Sequence, residues 1–552
     1  MYYNELTLAQ SDAGTVANTL MKENNIYYKY IQGVFMKAPV SSAVLFALAG
    51  MAFAVPKHGF DFVVGVDGDF KAAISKAASA SASESRHFII FFPDGEYELT
   101  KLTGDEHGKT IFSPSHVSIV GQSVDKTIVW NTTDTEGISA TATLYFPKNN
   151  DMYMQDITLQ NRGTYNSGNA SRQVALQQNE GDKFIYKNVR LLSGQDTYYT
   201  KKGRTYWEGG EIDGTVDFIC GGGDIFFEGT KLVMTRNGGY ITASQNPGDW
   251  GYVFNNAIIE VSNSSFNKTF YLGRSWGHAK VIFLNTIMRA EPKAEGWGPD
   301  MNSAPQIFGE YNSKDGNGNA VNTSQRKTRF DGGKDASTAT TLKTVWDAND
   351  AAKYTLKNVL GGSDSWEPNK LAKQVEAPSI AQVGKSVKWA DNEDAICWAV
   401  FVNGKYHSNT TDTRFGLDGI AEGSKVYLRA ANSMGGLGDK SNEIVTVAAT
   451  DSVATDTSKT DSAATDTSAA DTSVTDSIPP SPGDFVTVPG DTTVIPGDTA
   501  KVPGDTIIAR IDRKHYAGQY RKQPQHLYTA KGQRIQYIRK GRGRVMRALF
   551  GR

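Results

Sequence analysis

Between about residues 62 and 330 the chain alternates short apolar runs with small and polar residues. Phe88-Ile89-Ile90-Phe91-Phe92, Val117-Ser118-Ile119-Val120 and Val281-Ile282-Phe283-Leu284 have the length of strands, and clusters rich in Gly, Asn and Thr separate such runs. Long amphipathic helical patterns are scarce here, so the pattern predicts an extended all-β region. Within it, Gly194-Gln195-Asp196-Thr197 is followed by Gly214-Thr215-Val216-Asp217-Phe218-Ile219. A parallel β-helix winds one coil in roughly 20–25 residues, and the 21 residues from Asp196 to Asp217 match that period. The two aspartates are then expected on adjacent coils, about 4.8 Å apart.

Two carboxylates at that separation repel by roughly 3–4 kcal/mol at an effective dielectric of about 20, or about 2.5 pKa units. One should hold a proton near neutrality while the other stays ionised, which makes an acid and a nucleophile from one residue type. Gln173, Gln195 and Asp217 follow one another at 22-residue steps, so they could form a ladder on one face. Amides beside a carboxylate nucleophile suit an oxyanion hole, because Gln donates N–H bonds without carrying charge. The plainer alternative is that such ladders only cap a solenoid face.

These residues resemble the pectin methylesterases (carbohydrate esterase family 8). The family's motifs read here as Gly194-Gln195-Asp196-Thr197-Tyr198-Tyr199, Gly214-Thr215-Val216-Asp217-Phe218-Ile219-Cys220-Gly221, Leu272-Gly273-Arg274-Ser275-Trp276 and Glu295-Gly296-Trp297. Asp67-Gly68-Asp69-Phe70 and Pro93-Asp94-Gly95-Glu96-Tyr97 also fit, and the matches keep family order. The resemblance implies a right-handed parallel β-helix that hydrolyses methyl esters of homogalacturonan, with no cofactor and no metal. It implies Asp217 as nucleophile, Asp196 as acid and then base, Gln195 and Gln173 as oxyanion donors, and Arg274 as the partner of Asp217. Trp276 and Trp297, with Tyr199 and Phe218, are expected to offer faces to sugar rings. Departures are Cys220 for Phe, Ser275 for Pro and Leu99 for Glu. The family's Gln-Ala-Val-Ala-Leu reads Arg172-Gln173-Val174-Ala175-Leu176, which displaces the glutamine by one. Strand side chains alternate faces, so Arg172 is a rival occupant of the oxyanion position unless a bulge corrects the register.

The rest of the chain is divided by composition. Val44-Leu45-Phe46-Ala47-Leu48-Ala49 and Ala52-Phe53-Ala54 mark residues 36–54 as a secretory signal peptide. Residues 1–35 are expected to lie upstream of the true start at Met36. No other apolar stretch is long enough to span a membrane, and the 55–372 region is the expected esterase. Short alternating strands over 375–448 resemble a seven-stranded fibronectin III or immunoglobulin-like sandwich, expected as a spacer. Residues 449–507 carry ten Asp against two Lys in Thr/Asp/Pro/Gly repeats and are expected as an extended, disordered linker. From 508 to 552, thirteen Lys and Arg oppose one acid, although the whole chain is at −1. This basic module resembles those on secreted plant-fibre-degrading bacterial enzymes. An anionic cell surface or pectin is its expected partner, rather than nucleic acid.

Cys220 and Cys397 fall in different regions, so no disulfide framework is expected, and the eight His show no metal-ligand spacing. A secreted or cell-surface monomer acting on methyl-esterified pectin is the expected whole. Two alternatives remain: a β-helix polysaccharide lyase, which needs a Ca²⁺-binding carboxylate cluster and a basic proton abstractor, and a non-catalytic pectin-binding β-helix.

Overall fold

A computed structural model of the chain describes residues 55–163 and 171–448, together with three strands in the basic module. The signal-peptide and linker expectations fall outside the described residues.

From Phe62 to Asp315 the apolar runs stack as parallel strands in two sheets, one of twelve strands and one of nine. Most coils contribute to both sheets, so consecutive strands mostly alternate between the sheets and strands one coil apart pair. The inward-facing positions form ladders. Tyr186 pairs with Trp207, Trp207 with Phe227, Phe227 with Phe254 and Phe254 with Phe283. Phe227, Phe254 and Phe283 stack face to face with centroids 4.3 and 4.5 Å apart, and all five side chains are buried. The coil length is not constant. Ile119 pairs with Met154, 35 residues on, whereas Tyr186 to Trp207 is 21 and Trp207 to Phe227 is 20. The short period read from the sequence thus belongs to the coils that carry the two aspartates; the others are lengthened by loops.

The end of the stack is closed by a helix, Phe70–Ser79, whose Phe70, Ala73 and Ala77 are buried. Asp69 caps it by accepting from Ala72 N at 2.8 Å. At the corners between sheets, Asn188, Asn256, Asn285 and Asn312 adopt positive φ, a conformation that Asn tolerates better than most residues. Amide ladders join them: Asn312 donates to Asn285 (2.8 Å), and Asn285 to Asn255 (3.1 Å).

Residues 381–445 form two antiparallel sheets, of three and five strands, around Trp389, Trp398, Val400 and Leu428. Eight strands are present rather than seven. The expectation of a spacer is corrected: the sandwich is docked on the solenoid. Outward-facing Ile89, Phe91, Val120, Tyr153 and Ile185 are buried in one apolar cluster with Ile396, Phe401, Met434 and Leu437. Alternate residues of a strand buried on both faces account for the all-buried run Phe88–Phe92. Arg429 donates to Asp156 Oδ2 at 2.9 Å and to the Gln122 carbonyl at 2.7 Å, and Gln155 to the Leu437 carbonyl at 2.8 Å. Removing one partner of a buried ion pair costs about 3–5 kcal/mol, so Arg429→Ala should lower the stability of the solenoid itself, read by denaturant unfolding. A tethered spacer predicts no change.

In the basic module, Leu527–Tyr528, Arg534–Lys540 and Gly543–Ala548 form an antiparallel three-stranded sheet.

Candidate active site

Strand pairing places Tyr145, Gln177, Tyr199, Cys220, Ala243 and Arg274 in one row across six successive strands. Asp196 and Asp217 each precede their row member by three residues and open the strands Tyr198–Thr200 and Ile219–Glu228. Both have left-handed backbones, φ 59° and 51°. A non-Gly residue held there costs of order 1 kcal/mol or more and persists only when its surroundings impose it. Here the coil contacts do so: Asp196 N donates to the Val216 carbonyl (3.2 Å) and Tyr198 N to that of Phe218 (2.9 Å). Gly214 allows the turn between the coils, since a Cβ there would lie 2.1 Å from the Phe218 Cβ.

The two carboxylates are almost fully buried, each 4% exposed, yet their partners differ. Arg274 grips Asp217 with both arms, Nε to Oδ1 at 2.9 Å and Nη2 to Oδ2 at 2.6 Å. Burial pushes the Asp217 carboxyl up, and the guanidinium pulls against it. Asp196 has no such fork. Burial and the neighbouring Asp217 charge push it up to about 8, against the opposing Arg172 charge. Asp196 is thus pushed toward its protonated form near neutral pH, while at Asp217, which burial also raises, the Arg274 fork favours the charged form. The Gln195 amide and Cys220 thiol lie close to Asp196 and pull its carboxyl down, against burial and the Asp217 charge. Burial raises Cys220 well above an ordinary thiol, so it is no thiolate nucleophile.

Arg274 is itself aimed. Its guanidinium lies 4.2 Å from the centroid of Tyr240, which stacks on Tyr271 at 5.3 Å. Gly298 makes room for this pillar, for a Cβ there would meet Tyr240 at 2.4 Å. Beside the carboxylates, Tyr199 and the partly buried Trp276 approach with centroids 6.5 Å apart. With Ile138, Ala142, Tyr145, Val174, Cys220 and Ala243 they form one apolar patch.

Three expectations are corrected. Trp297 is 1% exposed and stacked on Phe308 at 4.1 Å inside the solenoid, so it offers no face to a ligand. Phe218 is fully buried in the same core, because it follows outward-facing Asp217 by one position. The 22-residue ladder fails at Gln173: the residue opposite Gln195 is Arg172. The register is 23 there and 22 at Leu176–Tyr198, so the lower strand bulges by one residue. The Gln173 amide lies instead against Gly163. Arg172 pairs with both carboxylate oxygens of Glu136, and this bond holds Glu136 below the usual carboxylate range.

Tyr240, Glu136 and Asn179 are neighbours of the site that sequence reasoning missed. Asn179 donates to the Tyr145 hydroxyl at 2.7 Å and accepts from Gln177 at 2.9 Å. The apolar/polar alternation marks these only as outward-facing; no motif signals them. Among the described residues, no cluster of metal-ligating side chains lies at these carboxylates.

A carboxyl raised to about 8 next to a carboxyl gripped by an arginine fork, beside amide and aromatic groups, is equipped for acyl transfer. The model of the pectinesterase family matches residues 61–363, more than half of the chain. Probable pectinesterase A of Aspergillus niger is 27% identical over 53% of this chain and 92% of its own length. Pectinesterase 2 of Olea europaea is 30% identical over 45% of this chain and 67% of its own. Among solved structures, pectin methylesterase PemA from Erwinia chrysanthemi is similar with a TM-score of 0.44 and 22% identity, covering 56% of this chain and 99% of that one. The match brackets the solenoid and both aspartates, and the chain belongs to the pectinesterase family, carboxylic ester hydrolases that act on pectin.

Proposed function

We propose that this chain releases methanol from methyl-esterified homogalacturonan by covalent catalysis on a right-handed parallel β-helix. The observation that carries the reading is the asymmetry of the pair: Asp217 is held by the Arg274 fork while Asp196 is pushed up to about 8. An Asp217 oxygen attacks the ester carbonyl, whose electron pair moves onto the carbonyl oxygen. As that oxyanion collapses, the C–O bond to methoxide breaks, methanol leaves with the Asp196 proton, and an acyl-Asp217 anhydride remains. Ionised Asp196 then takes a proton from water, which attacks the anhydride and frees galacturonate and Asp217. Gln195 and Arg172 are the oxyanion donors, Arg172 occupying the place that the register denies to Gln173. Tyr199 and Trp276 bind sugar rings.

Methanol release from methylated pectin tests the reading; unsaturated product ends would instead identify a lyase, and binding without either product a non-catalytic protein. The oxyanion assignment has its own test. Arg172→Ala should lower kcat by about 10²-fold with little change in KM, whereas Gln173→Ala should leave kcat within a few-fold. The reverse outcome restores the 22-residue ladder.

In the same reading residues 36–54 direct secretion, residues 375–448 are a fibronectin III-like module, and the basic module holds the enzyme on acidic polymer or an anionic cell surface. The last idea rests on the charge of residues 508–552. Deleting them should leave kcat on short soluble substrate unchanged and abolish retention on acidic polymer that weakens with salt. Equal retention of the truncated chain would remove that role.

A further inference from the structure

We propose that His87, His116 and Asp151 form a Zn²⁺ site at a corner of the first coils, apart from the ester chemistry. Phe88, Val117 and Met152 are paired in register, so the three residues that precede them stack at one corner. His87 Nε2 lies 2.7 Å and His116 Nδ1 3.0 Å from the same oxygen, Asp151 Oδ2. One ligand atom from each residue falls within a 4.8 Å span. Around a tetrahedral Zn²⁺ with bonds of about 2.0–2.2 Å, ligand atoms stand about 3.3 Å apart. To admit the ion, the two contacts to Asp151 need to lengthen by only a few tenths of an ångström, and the two imidazole nitrogens, within 4.8 Å of one another, need to draw together.

The donor set and its surroundings favour Zn²⁺. Two imidazoles and one carboxylate suit a borderline cation rather than Ca²⁺ or Mg²⁺, which take oxygen ligands. A metal-bound Nε2 requires the His87 proton on Nδ1, and Nδ1 lies 2.9 Å from the Ser118 hydroxyl. A hydroxyl both donates and accepts, so this bond survives the change of tautomer and orients the ring, as outer partners of metal-bound imidazoles do. His87 and Asp151 side chains are 1% and 7% exposed, while His116 is 29% exposed. The fourth position thus opens to water past His116. Nearby cations are engaged by acids: Lys183 pairs with Glu84 and Asp364, and Arg86 with Asp61. On the strand Leu144–Gln155, Asp151 lies six residues beyond Tyr145 of the active-site row, roughly 20 Å away. The ion would pin three coils together and touch no substrate.

The test uses the untagged full-length chain, stripped with a chelator and titrated with Zn²⁺ alone. One Zn²⁺ per chain by calorimetry, a rise in Tm, and the visible band of four-coordinate Co²⁺ on substitution are expected. His116→Asn keeps a residue that tolerates the left-handed backbone found here, φ 57°, and should abolish the Co²⁺ band and the Tm rise. Ser118→Ala should weaken Zn²⁺ binding by about 10–100-fold. Methanol release by both variants should match the parent chain, which also shows that they fold. Absence of Zn²⁺ uptake by the parent chain, or uptake unchanged in His116→Asn, overturns the assignment. Neither result bears on the esterase reading, which is scored by methanol alone.

Discussion

Asp217→Asn should lower methanol release by about 10⁴- to 10⁶-fold, the scale seen when a covalent nucleophile is removed. The amide keeps the shape of the carboxylate but has no charge with which to attack. It also leaves Arg274 with one acceptor oxygen in place of two, so the guanidinium that now lies 2.6 Å and 2.9 Å from Asp217 loses its fork. The variant will be less stable, because a buried guanidinium loses its counter-charge. Circular dichroism and retained binding of de-esterified oligogalacturonide separate that loss from the chemical one. Near-normal methanol release from a folded Asp217→Asn protein would remove Asp217 from the mechanism.

Asp196→Asn should cost about 10²–10⁴-fold, the usual size of an acid–base contribution, and should also change the pH profile. The parent enzyme needs Asp196 protonated for the leaving methanol, so activity is expected to fall as pH rises through about 8, where burial and the Asp217 charge have moved this carboxyl. The residual activity of Asp196→Asn should lack that limb. Stability supplies an independent check. A carboxyl raised in the folded state above its unfolded value of about 3.9 stabilises most below that pH, and the contribution is gone once pH has passed about 8. The Asn variant lacks this loss, so its Tm relative to the parent should improve between pH 5 and pH 9. A basic limb that persists unchanged in the variant would assign it to another group.

Docking of the sandwich changes how the solenoid should be regarded. The face that carries Phe91, Val120 and Tyr153 is apolar, and a contiguous patch of this kind invites aggregation when exposed. The sandwich covers it and ties itself down through Arg429 and Asp156. Residues 381–445 therefore behave as part of the catalytic body, although their sequence reads as a separate module.

The sequence by itself determined the stacked parallel architecture and the adjacency of Asp196 and Asp217, while the pairing of Arg274 with Asp217 was expected from the family resemblance alone. In a solenoid, separation by one coil becomes contact, so a 21-residue spacing is already a statement about distance. The alternation of inward and outward side chains was equally legible, and it places Phe218 in the core once Asp217 is known to face out. The tertiary structure alone decided what depends on local departures from that regularity. One inserted residue below Gln195 put Arg172, not Gln173, in register. The chain after Gly296 turned Trp297 inward onto Phe308. Coils of 29 and 35 residues brought His87, His116 and Asp151 to one corner, a grouping that no fixed ligand spacing could reveal. Bulges and loops carry no periodic signal, because their energy comes from contacts with the coils above and below them.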